Sequence, residues 1–140
     1  MKTELSLVLD LALAGTIVTR DVENTLGAHH GLGLSELALL LELRSAPQER
    51  MRRVELANRL GVTTSGVARQ LGPLERRGIV ARESNPADAR LALVVLTEAG
   101  KKALEQALPT AEEEAEHVLA KHWSPAERQR LGKLLGAVRN

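Results

Sequence analysis

The chain has 140 residues, which is enough for one domain that buries its core without metals or disulfides. It contains no cysteine, and this excludes disulfides, thiolate catalysis, cysteine-based zinc sites and thiol redox sensing. Trp123 is the only residue of the Phe, Trp and Tyr class, so we expect an aliphatic core and no stack of rings for an aromatic ligand.

The net charge of +1 hides an uneven distribution. Residues 51–82 carry seven arginines and two glutamates, a net charge of +5, whereas residues 1–43 carry a net charge of −4. A basic middle segment between acidic flanks suits binding to a polyanion such as DNA. Arginines are also common on solvated helices, so charge alone leaves that alternative open.

The N-terminal stretch MKTELSLVLDLALAG superficially resembles a signal peptide, because a lysine precedes an apolar run and an Ala-Leu-Ala sequence. Glu4 and Asp10 interrupt the region that export requires to be apolar, and no segment approaches the roughly 18 apolar residues of a membrane span. We therefore expect a soluble, cytoplasmic protein that has no membrane partner.

Helical periodicity predicts a long first helix and a shorter, very apolar second helix. Apolar residues from Leu5 to Leu26 fill nearly every face of the first helix, which we expect to end in the glycine-rich connector 27–33. Ser35 is a suitable N-cap for the second helix. A chain of this size has little interior in which to hide two such helices, and this indicates burial against a second subunit.

A short helix is predicted over residues 54–60. Val54, Ala57 and Leu60 form one apolar stripe, which we expect to face the core. Gly61 follows at the position where a left-handed residue commonly ends a helix. The helix is therefore expected to stop at a tight turn.

A second short helix is predicted after that turn, capped by Thr63 or Thr64. Val67, Leu71 and Leu74 recur at helical spacing and are expected to face the core. Two short helices joined by a turn that contains glycine form a helix-turn-helix, whose second helix enters the major groove of DNA. The opposite face of this helix is therefore the candidate recognition surface.

Gly72 and Pro73 are unfavourable inside a helix, at about 1 and 3 kcal/mol relative to alanine. The sequence predicts that the second helix kinks or ends early near Gly72.

A two-stranded wing is predicted after Gly78. Residues 79–82 begin one strand and residues 91–96 return as the other, and the connecting loop contains the turn-forming pair Asn85-Pro86. Helix, turn, helix and hairpin, in this order, are the plan of a winged helix-turn-helix.

Within the wing, Asp88 and Arg90 are two residues apart and can point to the same side of an extended strand. A carboxylate that orients the guanidinium in this way would let the arginine enter a narrow minor groove. The alternative, a solvated ion pair worth less than about 1 kcal/mol, fits the spacing equally well.

Five motifs in this segment carry a family resemblance. They are the LA..LG turn, the S.V.R register that begins at Ser65, the LE.RG.V.R exit that begins at Leu74, the D.R wing at Asp88, and the LTEAG sequence that opens the next helix. In this order and spacing they resemble the DNA-binding core of the MarR family, the multiple antibiotic resistance type regulators. The terminal helices match that family in length and character.

The resemblance implies a mostly α fold with a small β-wing, in which N- and C-terminal dimerisation helices flank the winged helix-turn-helix. Residues 1–140 would form a single MarR-like domain, residues 1–32 and 97–140 the dimerisation helices of a homodimer, and residues 33–96 the DNA-binding lobe. Independently of the resemblance, Ser124, Pro125 and Glu127 predict the start of the last helix by a capping box with proline at its first position. Trp123 precedes this cap and is expected to anchor the corner by packing, with ligand stacking as the alternative.

Thr64, Ser65 and Arg69 have the right chemistry for DNA, because hydroxyls bind bases or phosphates and a guanidinium binds guanine or the backbone. Gly66 and Ala68 are short, so specificity is expected to rely more on Arg69, Gln70, the wing and DNA shape. The full set of predicted DNA-binding residues is Arg53, Thr63, Thr64, Ser65, Gly66, Ala68, Arg69, Gln70, Arg82, Asp88 and Arg90.

Members of the family often bind small anionic or phenolic ligands between the dimer helices and the winged lobe. His29 and His30 lie where such a pocket would begin and are the candidates for effector binding. The alternative is that they are loop histidines with solvent or backbone partners. No metal or cofactor is expected, because the acidic and histidine residues do not show the spacing of a zinc site.

These observations predict a sequence-specific DNA-binding transcriptional regulator, namely a ligand-responsive repressor that acts as a homodimer on a pseudo-palindromic operator. The alternative is a winged-helix dimer with weakened DNA binding that serves as a protein-interaction module, and Gly72-Pro73 motivates it. An enzyme is not expected, because the sequence has no nucleophile–base pair, metal motif or phosphate loop.

Overall fold

The structure is a computed structural model that describes residues 3–88 and 91–139. Six α-helices and a three-stranded antiparallel sheet make up the described fold, which confirms the mostly α winged helix-turn-helix. In chain order the elements are α1 (Glu4–His30), α2 (Leu34–Ser45), β1 (Arg50–Arg52), α3 (Arg53–Leu60), α4 (Thr64–Arg76), β2 (Val80–Glu83), β3 (Leu93–Leu96), α5 (Glu98–Ala120) and α6 (Pro125–Arg139), with a short 3₁₀ turn (Pro47–Glu49) before β1.

The chain divides into two compact units. One unit contains the residues up to Leu34 together with those from Leu108 onward, and the other is Ser35–Ala107. The second unit holds the helix-turn-helix, the sheet and the first turns of α5. None of the described helices combines the length and the apolar character needed to cross a membrane.

Helix α1 is longer than its glycines predicted. It starts at a Thr3 cap, whose Oγ1 accepts a hydrogen bond from the Ser6 N–H at 3.1 Å, and it ends where Gly31 adopts a left-handed φ of 64°. Gly27 lies inside the helix, so the expected end at that glycine is wrong. His29 and His30 therefore lie in the last helical turn, which corrects their assignment to a loop.

Helix α2 begins one residue before the expected cap. The N–H of Leu34, its first residue, donates a hydrogen bond to Glu23 Oε1 at 2.8 Å. The side chain of a residue in α1 thus satisfies one free N–H group at the start of α2, and Ser35, the expected cap, is itself helical. Four leucines of α2 are buried: Leu37, Leu39, Leu40 and Leu43.

Helix α3 buries only part of the predicted stripe, namely Ala57, and adds Leu56 to it. Leu56 and Ala57 are buried, whereas the side chain of Val54 is 58% exposed. The helix starts at Arg53 directly after β1, so the strand fixes its rotation and turns Leu56 toward the core. Gly61 ends it with a left-handed φ of 67°, as predicted.

Helix α4 follows the predicted pattern at its start and along its buried face. Thr63 is the cap, and its Oγ1 accepts a hydrogen bond from the Gly66 N–H at 3.0 Å. Val67, Leu71 and Leu74 are buried.

The expected early end of α4 is wrong, because all residues from Thr64 to Arg76 are helical, Gly72 and Pro73 included. Pro73 removes one backbone donor in the last turns, while the buried aliphatic face continues to Leu74. The helix ends in a Schellman motif, in which Ile79 N–H bonds to Leu74 O and Gly78 N–H bonds to Glu75 O, both at 3.0 Å.

The sheet has three strands in the order β1-β3-β2, so the predicted two-stranded wing lacked one strand. Strand β1 has three residues, too few for an alternating pattern to stand out. Met51 lies opposite Val94, and Val94 lies opposite Arg82, which places these residues on the inner face.

Helix α5 opens against the end of α4 through a close backbone contact. The Thr97 hydroxyl donates to the Gly78 and Ile79 carbonyls at 2.6 and 2.9 Å, and its oxygen accepts a hydrogen bond from the Gly100 N–H at 3.0 Å. A Cβ atom at Gly100 would lie 2.1 Å from Ile79 O. Only glycine fits this position, and this explains the LTEAG motif.

The predicted capping box of α6 is confirmed. Glu127 N–H donates to Ser124 Oγ at 3.2 Å, and Ser124 N–H donates to Glu127 Oε1 at 2.9 Å. Trp123, just before the cap, is half-buried, and its ring centroid lies 5.7 Å from that of His122.

Candidate nucleic-acid interface

The first two turns of α4 present the predicted recognition residues to solvent. Thr63, Thr64, Ser65 and Arg69 are exposed. Because the Thr63 hydroxyl bonds to Gly66 N–H, the free N–H groups at this end are only partly satisfied within the chain. The helix therefore offers hydroxyls, backbone donors and a guanidinium on one accessible end.

A groove beside this helix end collects residues from three predicted elements. It has a volume of about 410 Å³ and is lined by Arg53, Val54, Thr64, Arg82, Ser84, Asn85 and Ala92. Arg53 opens α3, Thr64 opens α4, and Arg82 lies in β2. The fold thus brings three predicted site residues together.

The chemistry of this groove suits an anion. Two guanidinium groups and the first residues of two helices contribute to it, and none of the described residues that line it is acidic. Helix N-termini carry partial positive charge, and arginines bind phosphate with two parallel hydrogen bonds. A phosphate of a nucleic-acid backbone therefore matches the groove.

Glu75 is a site residue that the sequence analysis missed. Its Oε1 lies 3.6 Å from Nη2 of Arg82, and so an ion pair joins α4 to β2. Both residues belong to the LE.RG.V.R motif, but their contact depends on how the strand packs against the helix. The carboxylate restrains an arginine whose side chain is still half exposed.

The basic segment is not uniformly available. Arg59 lies 3.9 Å from a Glu42 carboxylate oxygen and 3.8 Å from one of Glu55. Its charge is therefore offset on the side of α3. Positive charge near the groove comes from Arg53 and from Arg82, which has one carboxylate neighbour, Glu75, where Arg59 has two.

Asp88 lies in a turn, which corrects its placement in an extended strand. The Asp88 N–H donates to Asn85 O at 3.3 Å, and the Leu91 N–H donates to Asp88 O at 3.0 Å. Asn85 also accepts a hydrogen bond from the Ala87 N–H on its side-chain oxygen at 2.9 Å. Arg90 lies outside the described residues, so its pairing with Asp88 stays a prediction.

Three further predicted contact residues are less accessible than Arg69. Gly66, Ala68 and Gln70 are half-buried. The Oε1 atom of Gln70 is buried and has no hydrogen-bond partner among the described residues. Gln70 would have to change rotamer to reach a base.

The MarR family profile matches residues 30–91 of this chain. The HTH-type transcriptional repressor YetL of Bacillus subtilis is 35% identical over 108 residues, which cover 76% of this chain and 64% of YetL. Sco3205, a MarR family transcriptional regulator from Streptomyces coelicolor solved in complex with DNA, has a TM-score of 0.83 at 24% identity, covering 99% of this chain and 88% of that chain. Residues 30–91 of the chain belong to the MarR family.

A second similar solved structure is that of BpsR of Bordetella bronchiseptica, from work on the regulation of its DNA binding by 6-hydroxynicotinic acid. It has a TM-score of 0.78 at 25% identity over 93% of this chain and 90% of that chain. The chain spans 65% of the length of the HTH-type transcriptional regulator YdgJ of Bacillus subtilis and 64% of the length of YetL.

The two histidines predicted to bind an effector line a cavity in the first unit. The cavity has a volume of about 470 Å³, and its lining residues are Thr25, His29, His30, Thr110, Glu113 and Glu114. His30 Nε2 lies 2.8 Å from Thr110 Oγ1, which links α1 to α5. Among residues 3–88 and 91–139, no three His, Asp or Glu side chains are arranged to hold a metal ion.

Proposed function

We propose that this chain is a transcriptional regulator, a repressor that binds double-stranded operator DNA as a homodimer. The observation that carries the proposal is the groove in which Arg53, Thr64 and Arg82 converge beside the exposed start of α4. In this arrangement α4 enters the major groove of DNA. Arg53, Thr64 and Arg82, which line the groove on the protein, bind a backbone phosphate. The repressor role is supported by the similarity to YetL.

The homodimer is supported by a large exposed apolar surface within the first unit. Side chains of α1 and α6 that would be costly to leave in water are at least 41% exposed: Leu5, Leu7, Val8, Leu9, Leu11, Leu13, Ile17, Leu134, Leu135 and Val138. Because the exposed residues of α1 lie all around the helix, a partner must enclose it. A twofold dimer would present two copies of α4 to a pseudo-palindromic operator.

The alternative of a protein-interaction module loses its motivation. It depended on a recognition helix weakened near Gly72-Pro73, yet α4 continues to Arg76 and ends in a complete Schellman motif.

The ligand response is proposed at the cavity beside His29 and His30. BpsR, whose DNA binding responds to 6-hydroxynicotinic acid, supports a small-molecule effector. Of the two ligand classes expected from the sequence, a phenolic compound suits the cavity better, because Glu113 and Glu114 would repel an anion. A ligand would release DNA only by binding better to a conformation that does not fit the operator. We place the regulator in the cytoplasm, as expected for a protein that acts on chromosomal DNA.

The proposal is tested by selecting binding sites from a pool of random DNA duplexes with the purified protein. We expect enrichment of an inverted repeat whose half-sites lie about one helical turn apart. Arg69→Ala should relax the preference at one position of each half-site, at a cost of about 1–3 kcal/mol for the preferred base. Arg130→Ala, which removes an exposed arginine from α6, is the matched control. Selection that enriches no sequence, or only a single half-site, contradicts the dimeric regulator.

A further inference from the structure

A lysine at the start of α5 is bonded to two carboxylates. Lys101 Nζ lies 2.7 Å from Glu49 Oε1 and 2.8 Å from Glu98 Oε1. Both hydrogen bonds raise the pKa of Lys101 well above its ordinary value, and the bond with Glu49 has the larger effect. The ammonium group therefore stays charged throughout the neutral range and ties α5 to the turn before β1.

That turn has an unusual backbone. Gln48 and Glu49 adopt φ angles of 56° and 57°, the left-handed region that residues other than glycine rarely occupy. The Glu49 N–H donates to Ala46 O at 2.9 Å. Such a conformation persists where surrounding contacts determine it, and Lys101 supplies one directly to Glu49.

The next residue continues the connection across the sheet. Arg50 Nε donates to Gln48 O at 3.2 Å, and Arg50 Nη1 forms an ion pair with Glu83 Oε2. In the sheet register Arg50 lies opposite Val95, and Val95 lies opposite Ala81. Glu83 is two residues from Ala81 and so shares the outer face with Arg50. The ion pair therefore spans β3 from one edge strand to the other.

Glu83 is the last residue of β2, and the chain continues from it into the wing. The next two residues, Ser84 and Asn85, line the groove that also holds Arg53 and Arg82. The position of Glu83 thus determines where this wall of the groove lies. Strand β1 has only three residues, so its ladder gives few backbone hydrogen bonds for this purpose.

We propose that Lys101 and Arg50 are positioning residues for DNA binding, because their ion pairs with Glu49 and Glu83 hold the base of the wing against α5. This inference rests on the proposed function. Ion pairs this exposed contribute little to overall stability. Their effect is on the geometry of the groove, whose residues must be held by supporting contacts to bind a phosphate well.

The first experiment measures amide hydrogen exchange in the free protein. Lys101→Met is compared with Lys102→Met, which removes the same charge one residue further along α5. Arg50→Met is compared with Arg44→Met, which removes the same charge from the exposed surface of α2. We expect exchange in residues 80–85 to accelerate in Lys101→Met and Arg50→Met and to stay at the wild-type rate in both controls. Equal rates in each variant and its control overturn the connection, whatever the protein does with DNA.

The second experiment measures the affinity of the same variants for the duplex selected by the wild-type protein. Lys101→Met and Arg50→Met should lose about fivefold more affinity than their controls, within the range that residues away from a binding site produce. The triple variant Glu49→Lys/Glu98→Gln/Lys101→Glu, in which no carboxylate remains at position 98 to repel the new one, should recover most of the loss. Equal losses in variant and control overturn the positioning role. A wild-type protein that selects no duplex contradicts the proposed function itself, and the exchange experiment still decides the connection.

Discussion

At the scale of single residues, Gly72 and Gly100 lie in helices but in opposite surroundings. Outside its own chain neighbours, a Cβ atom at Gly72 would meet Arg76 Nη1 at 3.6 Å, which is ordinary van der Waals contact. A Cβ atom at Gly100 would meet Ile79 O at 2.1 Å and Leu96 Cδ1 at 2.7 Å. The packing around the first glycine thus leaves room for a Cβ and only the following Pro73 crowds it, whereas the second glycine maintains the contact between α5 and the turn after α4.

We expect Gly72→Ala to change the free energy of unfolding by less than about 1 kcal/mol, because the gain of alanine as a helix former is offset by crowding of its Cβ against the ring of Pro73. Gly100→Ala should lower it by about 1–3 kcal/mol, because the backbone carbonyl of Ile79 cannot move aside without disturbing the sheet. Chemical denaturation of the two variants and the wild type measures both effects. The steric argument fails if Gly100→Ala is as stable as the wild type.

The sequence could predict which residues belong to the candidate site, but it could not predict which residues they form ion pairs with. Arg53, Thr64 and Arg82 were predicted as DNA contacts, and the fold brings them to one groove. The motifs did not identify Glu75 as the partner of Arg82, nor Glu83 as the partner of Arg50. Those contacts depend on the packing of strands against a helix and on sheet register, which short sequence patterns do not encode.

At the scale of helices and strands, local chemistry determined what could be predicted. The caps at Thr63 and Ser124 and the left-handed glycine at position 61 were predictable, because each acts within four residues of its own helix end. The start of α2 was not predictable in this way, because its first N–H bonds to Glu23, eleven residues earlier. Strand β1 is likewise defined by its pairing with β3 rather than by its own sequence.

The capping box of α6 predicts a dependence of stability on pH. Hydrogen bonding to Ser124 lowers the pKa of Glu127 below its ordinary value, and the bond from the Ser124 backbone N–H has a larger effect than the Ser124 hydroxyl. A carboxyl with a lowered pKa in the folded state stabilises the protein above its unfolded-state pKa, about 4.3 for glutamate, and this contribution is lost as the pH falls through the lower folded value.

Glu127→Gln imitates the protonated carboxyl at every pH. Its melting temperature should therefore lie below that of the wild type at pH 7 and approach it as the pH falls below about 4. The control Glu112→Gln removes a charge from the exposed surface of α5 and should not show this convergence. A difference between Glu127→Gln and the wild type that is independent of pH would contradict the role of the carboxylate.

At the scale of the whole molecule, the apolar surface of α1 and α6 and the basic groove belong to different compact units. Both features were predictable, because apolar residues on every face of a helix and a segment rich in arginine can be read directly from the order of the amino acids. It placed the limits of the winged lobe at residues 33 and 96, whereas the second unit extends to Ala107. The second compact unit includes the first turns of α5, because contacts of Thr97 and Gly100 join them to the turn after α4.

The central claim is that each chain of a homodimer binds backbone phosphates through Arg53 and Arg82 beside the recognition helix. The most direct test is the salt dependence of the affinity for the selected duplex, measured by fluorescence anisotropy. The logarithm of the association constant should fall linearly with the logarithm of salt concentration, by about 0.9 per phosphate contact. Arg82→Ala should reduce the slope by about two such contacts, one for each chain, while Arg130→Ala leaves it unchanged. An affinity that is insensitive to salt, or a slope that Arg53→Ala and Arg82→Ala both leave unchanged, would contradict this account.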